Sequence, residues 1–469
     1  MDHGKWQNLR ERQEQAMIKP LSNWFACVTA LLSLTASTSH LAADAPLAIQ
    51  GAKIIPVVGD PIAIGTILVR DGKIEAIGKD VVIPGEAKVI DGTGKVVMPG
   101  FVDAHNSAAM TSANERNEIV PFLSVVDSID PVAAYFEECR RNGITSAAVV
   151  PGNSTLIGGQ AAIVKTAGQY VNDMLLKRDA GLKISLRPAS GNRMSQLARL
   201  RKELDKAKKA IEKEAKGEKP DAATEPKKEG EETAKPPEKP EGSTEETKDE
   251  SGAERQPDNA NDAASQAAGL EALKKAVKGE QPVYIYCENG MDVTAAIQLV
   301  SEYGLKPIFV LGPSCYKAAE LLAKRNETVI LDASLVFWET NPRTREDKKI
   351  IVPQIFRTAK VPFVFQTEGF GARTSLGSSF FWYQAATAVK YGMSEKEAIE
   401  AITLLPAKRI GIDNLVGSLE VGKDADLLIL TGEPLSISTW VEQTIIQGRV
   451  VYERSKDDKI KRLLAPVAE

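Results

Sequence analysis

Apolar and polar positions alternate along this chain with two distinct rhythms. Between 47 and 98, short β-prone runs at 52–58, 65–70, 73–77 and 87–90 are separated by turn residues, among them Asp71-Gly72 and Asp91-Gly92. Asp-Gly suits a two-residue hairpin, because both central residues of that turn need a positive φ. A matching set lies near the other end, where 426–430 and 440–446 lead through Gln447-Gly448 into 449–452. Pairing the two ends predicts one β-sandwich, with 46–97 as its first part, 415–455 as its second and 456–469 as a tail.

The middle has a different rhythm, with buried-type strands alternating with helical patterns, as in βα units around a parallel sheet. Eight strand candidates follow in order: 97–102, 144–150, 161–165, 182–186, 283–286, 308–311, 328–331 and 361–365. Eight such units predict an α/β fold, a TIM (β/α)8 barrel whose halves are 98–211 and 270–414. Helix signals support it: Ser394 with Glu397 reads as a capping box, and Leu197, Leu200, Leu204 and Ile211 form one apolar stripe. From 212 to 269 there is no Val, Ile, Leu, Met, Phe, Trp or Tyr, so that stretch cannot bury a core and is expected to be a disordered polar insertion.

Residues 1–45 read as an export signal. Lys19 precedes an apolar run from Trp24 to Ala36, and small residues follow up to Ala45. Start and cleavage stay open: Met1 or Met17 for the first, a point between Ser37 and Pro46 for the second. The run falls short of the ~20 residues that span a bilayer, so membrane contact is expected only through this signal. An exported protein, in the periplasm or another extracytoplasmic compartment, is the expectation.

Composition narrows the function. A net charge of −4 in 469 residues, with 43% hydrophobic positions, gives no basic excess for nucleic acid. Beyond the signal the cysteines are Cys139, Cys287 and Cys315, an odd set that is no disulfide framework, although one pair could form.

Two motifs carry a resemblance. Val97-Met98-Pro99-Gly100-Phe101-Val102-Asp103-Ala104-His105 resembles the first barrel strand of the amidohydrolase superfamily, where a proline-glycine turn precedes Asp-x-His-x-His. Gly417-Ser418-Leu419-Glu420-Val421-Gly422-Lys423-Asp424-Ala425-Asp426-Leu427, behind Leu405-Pro406-Ala407-Lys408, resembles its C-terminal signature. Pro151-Gly152-Asn153, Ile157-Gly158-Gly159-Gln160 and Ala180-Gly181-Leu182-Lys183 are similar to its imidazolonepropionase-like branch. The resemblance implies metal-dependent hydrolysis of C–N bonds other than peptide bonds, as in cyclic amides. It also implies one or two divalent metals held by two histidines on the first strand, one each on the fifth and sixth, and an aspartate on the eighth. Such a metal lowers the pKa of bound water toward ~7.

The chain departs from that pattern. It has three histidines, His3, His40 and His105, and two of them lie in the region expected to be removed. His105 matches the first histidine, but the second falls on Ser107, the fifth-strand position on Tyr286 and the sixth on Leu311, while Glu368 stands for the catalytic aspartate. An isobutyl group cannot ligate a metal, so the resemblance implies a dismantled site with no metal expected. His105, Lys183, Tyr286 and Glu288 are the candidate binding residues and Glu368 the candidate catalytic one. His105, Glu288 and Glu368 are the weak metal candidates, and a thiolate site using Cys287 and Cys315 is conceivable.

Three functions compete: a catalytically degenerate homologue binding a small molecule or partner in the barrel mouth, an active hydrolase with an atypical or single zinc-type site, and an assembly role for the insertion. Fold alone does not choose among them.

Overall fold

In the computed structural model, residues 45–187, 192–217, 259–367 and 380–465 are described. The N-terminal segment contributes β1 (Leu47–Ile54), β2 (Ile62–Arg70), β3 (Lys73–Gly78), β4 (Lys88–Asp91) and β5 (Val96–Pro99). The central strands are β6 (Phe101–Asn106), β7 (Ile144–Val149), β8 (Ile157–Lys165), β9 (Leu175–Ser185), β10 (Pro282–Asn289), β11 (Lys306–Ser314) and β12 (Val329–Ile330). A separate hairpin pairs β13 (Val336–Thr340) with β14 (Asp347–Ile351), and β15 (Phe363–Val364) follows. The chain returns through β16 (Leu427–Leu430), β17 (Val441–Ile446) and β18 (Arg449–Glu453).

Both chain ends meet in one sheet, ordered β18-β17-β16-β5-β1-β2-β3 with β4 on β1. The expected pairing of the two ends is therefore present, through β16 against β5, within one hydrogen-bonded sheet. Its tight turns follow the local residue chemistry. Asp71 and Gly72 have φ of 49° and 75°, Gln447 and Gly448 48° and 74°, the double positive φ of a type I′ hairpin.

The second sheet runs β15-β12-β11-β10-β9-β8-β7-β6, so every one of the eight sequence candidates supplies a strand, in chain order. It is a TIM-barrel-like α/β arrangement, with one correction to the all-parallel expectation: β8 lies antiparallel to both β7 and β9. Connection length explains the reversal. Only residues 150–156 separate β7 from β8, and 166–174 separate β8 from β9, too few for a crossover of a dozen or more residues. Among the described residues no backbone ladder joins β6 to β15. Side chains bridge the two edges instead, Asn106 Nδ2 donating to the Thr367 carbonyl (2.8 Å) and Thr367 Oγ1 to Asp103 Oδ2 (2.5 Å).

The sheet buries both faces. Phe101, Leu182, Ile184, Val283, Phe309 and Phe363 pack in the large core shared with the helices. Alternate residues, including Val102, Ala148, Ile163, Tyr284, Ile308 and Val364, gather on the other face with Ala407, Ile410 and Val416 from the segment that closes that end.

The sequence run 97–102 is not one strand. It breaks at Gly100 between β5, which belongs to the terminal sheet, and β6, which belongs to the central one. A Cβ on Gly100 would lie 2.1 Å from Thr145 Oγ1 and 2.3 Å from its Cγ2. Thr145 is β-branched and fully buried, so it cannot step aside. Gly100→Ala should therefore lower stability by about 1–3 kcal/mol, read as a shifted urea midpoint at unchanged slope.

Two other expectations change. The edges of the polar segment 212–269 are helical: the helix Arg193–Ala215 runs into it and the helix Asn259–Val277 begins within it. Glu214 reaches across to Lys274, whose side chain is buried although the surrounding composition is polar. Residues 218–258 lie outside the described ones. The tail is also ordered in part, as the helix Asp458–Leu464, tethered where Arg141 Nε donates to Asp457 Oδ2 (2.6 Å). The Ser394–Glu397 capping box forms as expected, and Leu200 and Leu204 are buried along their helix. No helix of the described residues is long and apolar enough to cross a membrane. The signal segment lies outside the described residues apart from Ala45.

Candidate functional site

The C-terminal ends of the parallel strands are where barrel enzymes place their chemistry. Here β6 carries His105, β9 carries Lys183, β10 carries Tyr286, and Gln366 follows β15. The β6–β7 register shifts between Asp103 and Asn106, a bulge of the kind that re-aims a side chain. His105 is brought against Lys183 and Gln366, while Asp103 and Asn106 meet Thr367.

The hydrogen bonds fix the state of the imidazole. His105 Nδ1 lies 2.7 Å from Gln366 Oε1, and an amide oxygen only accepts, so Nδ1 carries the hydrogen. Nε2 then presents its lone pair, and Lys183 Nζ donates to it across 3.2 Å. Lys183 Nζ also donates to Asn153 Oδ1 (2.6 Å) and sits 5.4 Å from the centroid of the Tyr286 ring. Asn153 is held in turn, its carbonyl accepting from Ser185 Oγ (2.6 Å).

Burial dominates the electrostatics. It lowers the Lys183 ammonium to about 7, against a small opposing pull from Cys287. His105 is held well below its ordinary range by burial first and by the neighbouring Lys183 second. Asp103 is pushed up to about 7 because burial outweighs the bonds from Thr367, Asn106 and the His105 backbone.

The remaining sequence candidates that are described do not converge on this cluster. Glu288 sits at a half-exposed rim position and pairs with Arg187 (3.3 Å). Ser107 is part-buried just beyond β6. Glu368 lies outside the described residues. Leu311 is placed differently from expectation: it packs in the helix-side core with Cys287 and Phe309, not on the face that holds His105. The next residue, Gly312, could not accept a ligand either, since a Cβ there would lie 2.5 Å from the Glu288 carbonyl oxygen. Cys287 and Cys315 are free, buried thiols whose pKa burial raises, and Cys315 Sγ donates to the Cys287 carbonyl (3.1 Å).

Gln366 and Asn153 were not singled out by sequence reasoning. Strand alternation offered the signal for Gln366, two residues beyond the inward Val364. Asn153 sits in a loop, and nothing in the sequence announces its contact.

The profile of the amidohydrolase family matches residues 358–451. An amidohydrolase of Thermotoga maritima MSB8 shares the fold, with a TM-score of 0.69, 23% identity, and coverage of 87% of this chain and 100% of that one. Over residues 358–451 this chain is similar to the amidohydrolase family, and it shares the fold of a solved amidohydrolase. An amidohydrolase of Hapsidospora irregularis is 21% identical over 426 residues, 83% of this chain but 40% of that protein. A dihydroorotase of Mycobacterium tuberculosis is 35% identical over 98 residues, 21% of this chain and 23% of its own length. The chain thus spans less than half the length of these curated relatives.

Amidohydrolases are typically metal-dependent, and the donors of this chain can be tested against that requirement. Among the described residues no three His, Cys, Asp or Glu side chains come together to hold an ion. The one imidazole among the described residues, His105, has its lone pair engaged by the Lys183 nitrogen, and its other nitrogen engaged by Gln366. Divalent zinc-like ions are held by several such lone pairs at once. The described residues do not fit the metal.

Proposed function

We propose that this chain is a metal-free member of the superfamily whose barrel mouth binds a small molecule instead of hydrolysing a C–N bond through activated water. The observation that carries the reading is the occupied Nε2 of His105. Its lone pair, which a metal would require, receives the Lys183 N–H at 3.2 Å. Ser107, Tyr286 and Gly312 supply no imidazole to compensate. Closure of the central sheet into a complete barrel and a two-layered sandwich at its side belong to the same reading. So does export, which rests on Lys19 and the apolar run behind it.

A hydrolysis screen tests the function. Purified protein, with and without chelator, is offered hydantoins, lactams and N-acyl amino acids. The expected outcome is no chelator-sensitive turnover, together with thermal stabilisation by members of the set that bind, since a ligand at 100 times its Kd adds about 2.7 kcal/mol. Turnover abolished by chelator and restored by zinc would refute the reading.

A further inference from the structure

The cluster around Lys183 has a chemistry that hydrolysis does not use. Its nitrogen is fully buried on the inner side of the strand ends, and its partners are an amide oxygen, an imidazole and an aromatic face. Among the described residues the groups facing it are His105 from β6, Asn153 from the loop before β8 and Tyr286 from β10, while Cys287 acts on it from the opposite face of β10. None of these is a carboxylate. A neutral primary amine has two N–H groups and one lone pair. Two acceptors, Asn153 Oδ1 and His105 Nε2, match the two N–H groups, which leaves the lone pair as the unspent feature of that nitrogen.

We infer that Lys183 is a nucleophilic amine that captures a small aldehyde or ketone as an imine, with His105 as its proton relay. This rests on the metal-free reading of the mouth. The Nζ lone pair attacks the carbonyl carbon, an N–C bond forms, and the carbonyl π pair moves to oxygen. The extra proton on nitrogen passes to His105 Nε2 at 3.2 Å and from there to that oxygen. The remaining N–H proton follows the same relay to the resulting hydroxyl as the nitrogen pair forms C=N, so that the oxygen leaves as water, and addition of water reverses the sequence. No oxidant, reductant or metal enters the balance. Burial, which lowers the amine to about 7, leaves a large neutral fraction at physiological pH, whereas a solvated lysine near ~10.4 is almost wholly protonated.

The test is reductive trapping on the full chain with propanal or pyruvate and cyanoborohydride, followed by peptide mass mapping. At pH 7 the peptide holding Lys183 should be labelled about tenfold faster than surface lysines, with a rate that rises through pH ~7. His105→Gln should slow that labelling while the far-UV spectrum is unchanged, and Lys183→Met should remove it. The wild-type map needs no variant to fold. Labelling confined to surface lysines, or a Lys183 rate that rises only near pH 10, would overturn the inference. Metal content of the same sample reports separately on the metal-free reading, so the two can fail independently.

Discussion

Lys165→Met should destabilise the fold by about 3–5 kcal/mol, the range for removing one partner of a buried ion pair. Lys165 ends β8 with its side chain 2% exposed, and its Nζ lies 2.7 Å from Asp426 Oδ2 and 3.0 Å from Asp424 Oδ2. These carboxylates sit in the C-terminal signature that leads into β16, so one ammonium ties the central sheet to the terminal one. Burial pushes the Asp426 carboxyl up even with Lys165 beside it. In Asp424 burial acts the same way but is outweighed by Lys165 and Lys73, and the carboxyl lies below its ordinary value. Methionine keeps the length and loses the charge, leaving Asp426 buried with one backbone bond, from the Gln447 N–H (3.0 Å). Adding Asp426→Asn to Lys165→Met should recover a substantial part of the loss. A single-variant loss below about 1 kcal/mol in urea melts would show that the cluster is not buried as described.

Asp103→Asn should change how stability depends on pH. The folded carboxyl is raised to about 7 by burial, while an unfolded aspartate titrates near ~3.9. Between these values the folded state keeps a proton that the unfolded state has lost. The stability this proton contributes is fully present below pH ~4 and is lost as pH rises through about 7. At ~1.4 kcal/mol per pH unit the loss amounts to at most ~4 kcal/mol. Asparagine has no such titration. The variant should therefore gain on the wild type from pH 5 to about pH 7 and level off above it, measured as the difference in unfolding free energy, which cancels the slopes of all other groups. A difference that is flat, or that moves in the wild type's favour with rising pH, would contradict this account.

Much of the architecture was legible because it rests on local rules. Asp71-Gly72 and Gln447-Gly448 announced their hairpins through the φ that each turn demands. The eight central strands announced themselves through continuous apolar runs. Direction was missed at β8, although the short links on either side already excluded a parallel crossover. The break at Gly100 was missed because an apolar run does not reveal that its two ends belong to different sheets. Composition predicted the polar segment, but not the helical ends that Glu214 and Lys274 help hold.

The site was legible as a list of missing histidines and less so as an arrangement. His105, Lys183 and Tyr286 do come together. Leu311 faces the helices, because strand alternation puts it opposite to Val310, so the lost ligand position cannot be read from Leu311 alone. Gln366 and Asn153 decide the tautomer of His105 and the partners of Lys183, and both act through contacts between segments far apart in sequence.

On the proposed metal-free reading, the His105 lone pair is committed to Lys183 and unavailable to a metal. Titration of the purified, chelator-stripped protein with zinc, followed by calorimetry and elemental analysis, measures this directly. No stoichiometric uptake is expected and no heat that depends on His105, with His105→Gln and the wild type giving the same isotherm. One equivalent of tightly held zinc in the wild type, lost in His105→Gln, would contradict it.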